Sequence, residues 1–568
     1  MASTATTHQP GHRLLPHILH HAAAQTPSRI YASIPVSPSD LSAGYRDVTY
    51  TQLLRAVDRA ARWLDATLPP PPTTTRQTFA YLGPRDLRYP IHVLAAIKTS
   101  RRLLIPSHLA SPAAHVHLLA SSSTSTVIHA DAVLPDPHVS QIRAALPSIQ
   151  VVTNVPSQEE LLFDDEQDVE PYAYTKTFAE AEHDDACIFH TSGSTGPPKL
   201  VPYTHGMLVK VLAKVDLLSA QSRPRQLQGE VEAGWRCYIA LPIYHIAGMK
   251  HALLNPLLRN TTVVLGPPTP HGPPTPQTAL LVLHHARPHA ATFPPALLAD
   301  LVQQHRARAL PLLARLRSVS AAGAPIAPAA GAALAALGTF DPAIGCTESM
   351  HWLTLRPASP ADWPYVGFHA AMGARMDAAA AAAAAHYHDE HEPLHELVFD
   401  RTPSSEAWTV FFDRAGPGVR EFRTKDLWAR HPTEPALWRY RGRTDDLVVL
   451  AGEVKMYAGR VEERLCGADG VRAALVGGEG RAVPFVLVEA ADAPSSAAER
   501  GALLERLWPA VESETRNMVE QTRLRKQLAF VAPRDKPFAR LGKGAVARRE
   551  TFKLFEEEIE IMYRNSGL

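Results

Sequence analysis

Ten consecutive residues, His190, Thr191, Ser192, Gly193, Ser194, Thr195, Gly196, Pro197, Pro198 and Lys199, combine three features that hold a polyanion. Glycines let backbone N–H groups approach an anion closely, Ser and Thr hydroxyls donate to phosphate oxygens, and the lysine supplies charge. The apolar Ala186 to Phe189 directly before them read as a strand running into a loop, and the composition suits a triphosphate. The spacing differs from the nucleoside-triphosphatase loop, which places Gly-Lys-Ser/Thr at a helix start, so ordinary kinase and GTPase chemistry is disfavoured. Four Ser, Gly and Thr residues alone would equally make a surface linker; ten ordered positions say more.

Other chemistries find less support. His386, His388, His391 and His395, with Asp389, Glu390 and Glu392 between them, have a spacing that permits metal ligands on a helix. They stand beside an alanine run and Pro393, and read as a solvated loop. No Gly-x-Ser-x-Gly elbow marks a serine hydrolase. Cys187, Cys237, Cys346 and Cys466 lie far apart with no Cys-x-x-Cys pair, which disfavours a disulfide framework and a structural zinc and fits a reducing, cytoplasmic setting.

The elements that must position the loop follow from periodicity. Short apolar runs at Cys237 to Leu241, Thr262 to Leu265, Ala473 to Val476 and Phe485 to Val488 alternate with Ala/Leu-rich stretches, which predicts an α/β chain. A strand at Asp47 to Tyr50 leads to a helix capped from Thr51, with Leu53, Leu54, Val57, Ala61 and Leu64 at helical spacing. Leu68 to Thr75, Pro267 to Pro276 and Asp377 to Ala385 are low-complexity and read as surface loops or, for the alanines, a stray helical turn. A charged turn at Arg441 to Asp446, before a fresh strand at Leu447 to Leu450, marks a boundary between a large and a small domain. Thr551 to Tyr563 reads as one closing helix with Phe552, Phe555, Ile559 and Met562 on one face.

At 568 residues, 45% hydrophobic and 20% charged, the chain can bury large cores in more than one domain. A net charge of +1, from 57 basic and 56 acidic residues, gives no reason to expect a nucleic acid partner. Met1 to Arg13 is polar and no apolar run reaches bilayer length, so neither a signal segment nor a membrane is expected.

Thr191 to Lys199 resembles the signature loop of the adenylate-forming superfamily, which includes acyl-CoA synthetases, luciferases and peptide-synthetase adenylation domains. The resemblance implies that Thr191, Ser192, Gly193, Ser194, Thr195, Gly196 and Lys199 hold the β- and γ-phosphates of ATP and later release pyrophosphate. Further motifs stand in the family's order. Leu241 to Gly248 is similar to the segment that sets an aromatic or histidine residue beside the acid, which gives His245 the role of guiding the carboxylate. Ala322, Gly323, Ala324 and Pro325 resemble the turn along which adenine lies. Gly345, Cys346, Thr347 and Glu348 resemble the motif whose Thr binds the α-phosphate and whose Glu holds Mg2+, a hard cation that takes carboxylate oxygens. Ile344 departs from the aromatic residue usual before that glycine; it can pack on the base but brings no π face, which predicts weaker nucleotide binding.

Phe422 to Asp426 resembles the stretch whose Asp426 accepts from both ribose hydroxyls, with Lys425 in place of the commoner glycine. Gly442 to Asp446 is similar to the interdomain hinge, with Arg443 near the ribose. Lys536 to Gly544 resembles the terminal loop whose lysine, here Lys543, bridges the acyl carboxylate and the α-phosphate; Lys536 and Lys553 read as surface charges. Attack of a carboxylate on an anionic phosphate is repulsive, and a preorganised cation at the reacting oxygens is worth about 3–4 kcal/mol.

The implied fold is a large N-terminal adenylate-forming domain of β-sheets with flanking helices, 1–440, and a small mobile C-terminal α+β domain, 441–568, that carries Lys543. ATP and Mg2+ are implied, with no tightly bound organic cofactor, in a monomer. Gly83 to Tyr89 and Leu541 to Arg549 resemble one subgroup, the adenylation domains of fungal peptide-synthetase-like carboxylate reductases, and the resemblance runs from about Tyr45 to Tyr563. There the adenylation unit precedes a carrier domain and an NADPH-dependent reductase. This sequence shows neither an Asp-Ser-Leu attachment site after Lys543 nor a Gly-x-Gly-x-x-Gly fingerprint, so an excised domain or a free-standing enzyme is expected. The acceptor would be a carrier-protein phosphopantetheine thiol, CoA or an amine. Amino-acid-activating members carry an Asp within the segment occupied here by Ile243 to Gly248, and no acidic residue lies there, so an aryl or alkyl acid is favoured. Its pocket wall is expected from Tyr244 to Met249, Ala321 to Pro325 and Ile344 to Met350, with few charges. A degenerate nucleotide-binding module without turnover is the alternative; Lys199, Thr347, Glu348, Asp426 and Lys543 argue against it.

Overall fold

The computed structural model describes residues 13–71, 76–164, 169–191, 197–210, 231–268, 274–378, 393–444, 447–451, 455–492, 494–516, 518, 520–540 and 546–566. The chain divides into two compact units. Met1–Ala324, Leu337–Leu353 and Glu406–Gly416 make the first; Pro325–Ala336, Thr354–Ser405 and Pro417–Leu568 make the second. Among the described residues the architecture is α/β, as the alternation of apolar runs predicts. None of the described helices is long and apolar enough to cross a membrane.

The first unit is built on two six-stranded sheets. One runs in the order Gln150–Val152, Thr126–His129, Thr78–Leu82, Arg102–Leu104, Asp185–His190, Leu200–Thr204. The other runs Ser318–Ala321, Ala290–Phe293, Arg236–Ile239, Thr262–Val264, Ile30–Pro35, Tyr45–Thr49. In each sheet five strands are parallel and the last is antiparallel to its neighbour. Parallel strands covered on both faces carry apolar runs rather than an alternating pattern, and Thr78–Leu82 is buried at every position. Loops leaving the C-terminal ends of parallel strands are where open α/β sheets place their ligands. Arg236–Ile239 and Ser318–Ala321 lead at that end into the segments of His245 and Gly323.

The helix Tyr50–Thr67 starts two residues earlier than its apolar spacing predicts. Thr49, not Thr51, caps it: the Gln52 N–H donates to Thr49 Oγ1 at 3.2 Å, and the Thr49 N–H donates back to Gln52 Oε1 at 2.9 Å. The preceding strand is Tyr45–Thr49. Thr275 and Pro276, expected in a loop, start the helix Pro276–His285, with the Thr275 side chain accepting from the Thr278 N–H.

The second unit holds an antiparallel sheet in the order Thr354–Leu355, Tyr365–Phe368, Trp438–Arg443, Glu421–Arg430, Leu394–Asp400, Ala374–Ala378. Leu447–Val449 pairs with Lys455–Tyr457. A three-stranded sheet follows, Val471–Gly477, Phe485–Ala490 and Ala529–Val531, covered by helices such as Ala458–Cys466 and Ala497–Thr515. The closing segment is two helices, Arg548–Leu554 and Glu556–Ser566, instead of the single one that its periodicity predicts. Phe555 leaves helical geometry between them (φ −100°, ψ 17°) and is fully buried against Phe538 and Phe530. Lys536, expected as a surface charge, pairs with Glu558 at 2.5 Å and sits over the Phe555 ring. Of the four histidines weighed as metal ligands, His395 lies in the strand Leu394–Asp400 with its ring edge-on to Trp438; His386, His388 and His391 lie outside the described residues.

The stretch Gly83 to Tyr89 has a structural role. Arg88 opens the buried helix Arg88–Lys98 and grips Asp86, its Nη2 2.7 Å from Asp86 Oδ2 with both side chains about 95% buried (3% and 5% exposed). It also reaches Asp131 at 2.5 Å. Breaking such a pair from one side leaves a charge without compensation in a dry site. Arg88→Met is therefore expected to lower the unfolding free energy by about 3–5 kcal/mol in urea titrations, and Asp86→Asn added to it should restore much of that loss. Equal losses in the single and double variants would contradict this.

Candidate active site

The glycine-rich loop connects the two strands of an antiparallel hairpin. Asp185–His190 and Leu200–Thr204 pair with His190 opposite Leu200. The Thr191 N–H donates to the Lys199 carbonyl at 3.0 Å, closing the loop at its neck. Thr191 is half-buried and Lys199 exposed, whereas Ser192, Gly193, Ser194, Thr195 and Gly196 lie outside the described residues. Beneath the neck, buried His190 accepts at Nε2 from the Ser107 N–H at 3.1 Å, which ties the loop to the end of the neighbouring strand.

The second hairpin strand carries the link to the next motif. Tyr203 is fully buried, and its hydroxyl donates to the Thr347 carbonyl at 2.8 Å. Burial pushes the Tyr203 phenol well above its ordinary pKa, so it remains a donor. Gly345–Cys346 and Met350–His351 form a small hairpin with Thr347 and Glu348, both half-buried, at its tip. Met350 closes the three-residue turn in the left-handed region (φ 64°), the geometry of a hairpin ending in a bulge. Ser349 pins the turn from inside: Trp352 Nε1 donates to its Oγ at 2.6 Å, and the Cys346 Sγ lies 2.9 Å from the same oxygen. Glycine is required at 345, because a Cβ there would sit 2.1 Å from the Met350 carbonyl oxygen.

Ile344 leads into this hairpin, half-buried, its carbonyl accepting from the Trp352 N–H at 3.0 Å. Ala343 is bridged to Ala322, which places the Ile344 segment beside Gly323 and Ala324 at the end of Ser318–Ala321. Both are exposed, and Gly323 adopts φ 107°, a conformation that a side chain would strain. Pro325 begins a segment of the second unit. His245 stands at the start of the helix Ile246–Met249, half-buried, with ring centroids 4.9 Å from Tyr244 and 6.4 Å from His190. The first unit thus brings together the neck of the phosphate loop, His245, and the Thr347–Glu348 turn.

In the second unit Asp426 and Arg443 face each other across the strands Glu421–Arg430 and Trp438–Arg443, with Arg443 Nη1 donating to Asp426 Oδ1 at 3.3 Å. Thr424 steadies the approach, donating to the Leu397 carbonyl at 2.8 Å and accepting from the Asp426 N–H at 3.1 Å. Lys425 between them has φ 63°, a left-handed conformation that explains why glycine suits this position. Lys543 lies outside the described residues, but its flanks are joined: Arg540 bridges Val546, and the Ala547 N–H donates to the Ala539 carbonyl at 2.8 Å. No group of three His, Cys, Asp or Glu side chains that could hold a metal converges among the described residues.

Comparison with known proteins matches residues 19–377 to the AMP-binding enzyme family and 445–567 to the AMP-binding enzyme C-terminal domain. The chain belongs to this family of adenylate-forming enzymes. A carboxylic acid reductase from Neurospora crassa is 28% identical over 98% of the chain, and an isocyanide synthase–NRPS hybrid from Aspergillus fumigatus is 29% identical over 98%. The chain spans 51% and 34% of the length of these two relatives. Among solved structures, the A domain of carboxylic acid reductase from Segniliparus rugosus, in complex with AMP and a co-purified carboxylic acid, covers 98% of the chain, and the match covers 95% of that domain, with a TM-score of 0.72 at 14% identity. The resemblance to the adenylation domains of fungal reductases holds.

Sequence motifs did not reveal Tyr203 and Trp352, which bind carbonyls of the motif segment, or Ser349, whose hydroxyl meets the side chains of Trp352 and Cys346. The only trace of Tyr203 is its phase, since Val201 and Tyr203 are the buried positions in an alternating strand. Immediately past the stretches expected to form the acid's wall stand Lys250, His251 and His351. Lys250 is 7% exposed, and Lys250 with His251 are the charge-capable residues of an otherwise apolar helical run.

Two outcomes test this geometry. Tyr203→Phe should cost about 1–2 kcal/mol in thermal or urea unfolding and slow any reaction at Thr347 by about tenfold or more, because small misplacements of positioning groups are expensive. Lys425→Gly should raise stability by about 0.5 kcal/mol, as relief of left-handed strain exceeds the extra chain entropy of glycine; a destabilised glycine variant would show that the lysine side chain is what the position needs.

Proposed function

We propose that the chain activates an aryl or alkyl carboxylic acid without an α-amine, using ATP, as an acyl-AMP, and hands the acyl group to a carrier-protein thiol or CoA. A carboxylate oxygen attacks the α-phosphorus, the bond from that phosphorus to the bridging oxygen breaks, and pyrophosphate leaves. The observation that carries this reading is the Tyr203–Thr347 tether, which sets the strand after the phosphate loop against the turn bearing Thr347 and Glu348. Family membership and the reductase relative support it.

In this reading Thr191 to Lys199 hold the β- and γ-phosphates, and the Thr347 hydroxyl donates to the α-phosphate. Asp426 accepts from the ribose hydroxyls with Arg443 beside it, and Gly323, Ala324, Pro325 and Ile344 border the adenine, with the Gly345–Cys346 backbone following. His245 orients the acid. Mg2+ typically keeps several waters and takes one or two protein carboxylates alongside phosphate oxygens. The single half-buried carboxylate of Glu348 at a turn tip fits that demand, and the ion would supply charge neutralisation of the phosphates. Lys543 offsets the repulsion between the attacking carboxylate and the α-phosphate. Its loop belongs to a small domain, 441–568, which moves relative to 1–440 between adenylation and transfer; the C-terminal family match over 445–567 supports that boundary. The enzyme acts as a cytoplasmic monomer.

Acid-dependent ATP–pyrophosphate exchange over aryl, alkyl and amino acids is the direct test. Exchange with aryl or alkyl acids is expected, and Lys543→Ala should reduce it by about two orders of magnitude or more while slowing transfer from preformed acyl-AMP far less. Strong exchange with amino acids would overturn the substrate class, and none with any acid would point to a nucleotide-binding module without turnover. CoA, carrier protein and amine, added separately to the active acid, identify the acceptor.

A further inference from the structure

Ser107 lies past the end of the strand Arg102–Leu104, and its backbone is gripped from two sides. Its N–H donates to His190 Nε2 at the neck of the phosphate loop, 3.1 Å away. Its carbonyl accepts twice, from the Ala110 N–H of its own turn at 3.0 Å and from His115 Nε2 at 3.0 Å. The hydroxyl accepts from the Leu109 N–H at 3.3 Å. His115 belongs to the helix Pro112–Ser121, and its other nitrogen, Nδ1, stands 2.7 Å from Nε2 of His138 on the helix Asp136–Ala145. One hydrogen-bonded chain, His138 to His115 to Ser107 to His190, thus joins two helices and the ends of two strands in the first unit.

The partners fix where the protons lie. A carbonyl only accepts, so His115 Nε2 carries a hydrogen. Burial, reinforced by neighbouring His138, pushes the His115 imidazole down to about 3, so the ring is neutral and its Nδ1 is bare. His138 therefore donates from Nε2. At the other end, His190 Nε2 receives the Ser107 N–H, which leaves Nδ1 as the protonated nitrogen, 3.4 Å from the Thr191 carbonyl. Thr191 is the residue whose N–H closes the loop on Lys199.

Packing alone does not call for this arrangement. Leu118 and Leu119, three and four residues on, share the face of His115 and sit in an apolar cluster with Ile142 of the next helix. An aliphatic side chain at 115 would join that cluster, whereas a fully buried polar ring is costly unless it is hydrogen-bonded. What the ring adds is its hold on Ser107, and the neighbours of Ser107 face the site. His190 is the loop neck, with its ring centroid 6.4 Å from that of His245. His108, the next residue, stands edge-on to Tyr244 at 4.9 Å, and Tyr244 is 4.9 Å from His245. Resting on the proposed acid activation, we propose that His115 is a positioning residue for ATP: fixed in one tautomer by His138, it holds the Ser107 backbone and, through His190, sets the neck of the phosphate loop.

The test uses the whole chain, with ATP alone in equilibrium titration and with ATP and the most active acid of the panel in pyrophosphate exchange. His115→Leu should weaken ATP binding about fivefold, the effect of one buried hydrogen bond. His115→Gln keeps a donor at the place of Nε2 and should stay within about twofold of the wild type. His115→Asn keeps only an acceptor at the place of Nδ1; it should behave as the leucine variant does, and replaces it if that variant does not fold. In a His190→Leu background, His115→Leu should change ATP affinity by less than about twofold, because the path is already cut. Spectra of 15N-histidine-labelled protein, with His115 assigned from the Gln variant, should show a neutral ring protonated on Nε2. Unchanged ATP affinity in the Leu and Asn variants, equal losses in Gln and Leu, full additivity with His190→Leu, or an Nδ1–H ring would each overturn the inference, as would a wild type that binds no ATP. Unchanged affinity beside normal exchange sinks the role of His115 and leaves acid activation standing. The expected losses of ATP affinity in a protein that exchanges with no acid sink acid activation and leave the role of His115 standing.

Discussion

The hydrogen bond from Tyr203 to the carbonyl of Thr347 joins two segments 144 residues apart in sequence. One end is a strand of a rigid sheet edge and the other is a turn that has few means of holding itself. The small hairpin contributes two backbone pairs, and its tip has an exposed glycine before it and a left-handed residue after it. Without an external anchor such a turn would sample several conformations. With Tyr203 on its backbone and Trp352 on Ser349, the side chains of Thr347 and Glu348 project from a fixed base. Burial keeps the phenol protonated, so the anchor persists at any pH where the protein is folded.

The antiparallel edge of that sheet explains why the loop can be glycine-rich. A parallel strand would need a long crossover after it, whereas an antiparallel partner lets the chain turn back at once. The neck is set by the Thr191–Lys199 backbone bond and by His190 on Ser107, so the loop's ends are fixed independently of its composition. A similar closure appears at 540–546, where Arg540 and Val546 are bridged on either side of Lys543 in the sequence.

The glycine-rich loop was legible in the sequence because an anion loop favours glycine and hydroxyls, and the Gly345 to Glu348 turn was legible through its resemblance to the family's motif. The two-sheet α/β plan was legible from apolar runs, since parallel strands buried on both faces leave that trace. What stayed hidden acts through the backbone or through relief of strain. Tyr203 donates to a carbonyl that any residue would offer. Thr49 rather than Thr51 caps its helix because Gln52 completes the reciprocal pair from position 49 and not from 51. Phe555 breaks the closing helix because a fully buried ring outweighs one more helical turn, which periodicity alone cannot weigh. Lys425 looked like a departure from type; its left-handed backbone shows the constraint that glycine would satisfy.

Buried charge in the first unit is compensated inside the protein. Asp86 with Arg88, and Asp58 with Lys98, are closed pairs in which each charge is compensated inside the protein, and such pairs fix the helix Arg88–Lys98 against its surroundings. Lys250 is buried to the same degree on a π turn, and its charge is felt by the buried carboxylate of Asp341. A closed pair has little left to offer a ligand. In the proposed site Ile344 offers the base no aromatic face, so recognition there would fall on the phosphates, the ribose and the acid, the groups that charged and hydrogen-bonding side chains read best.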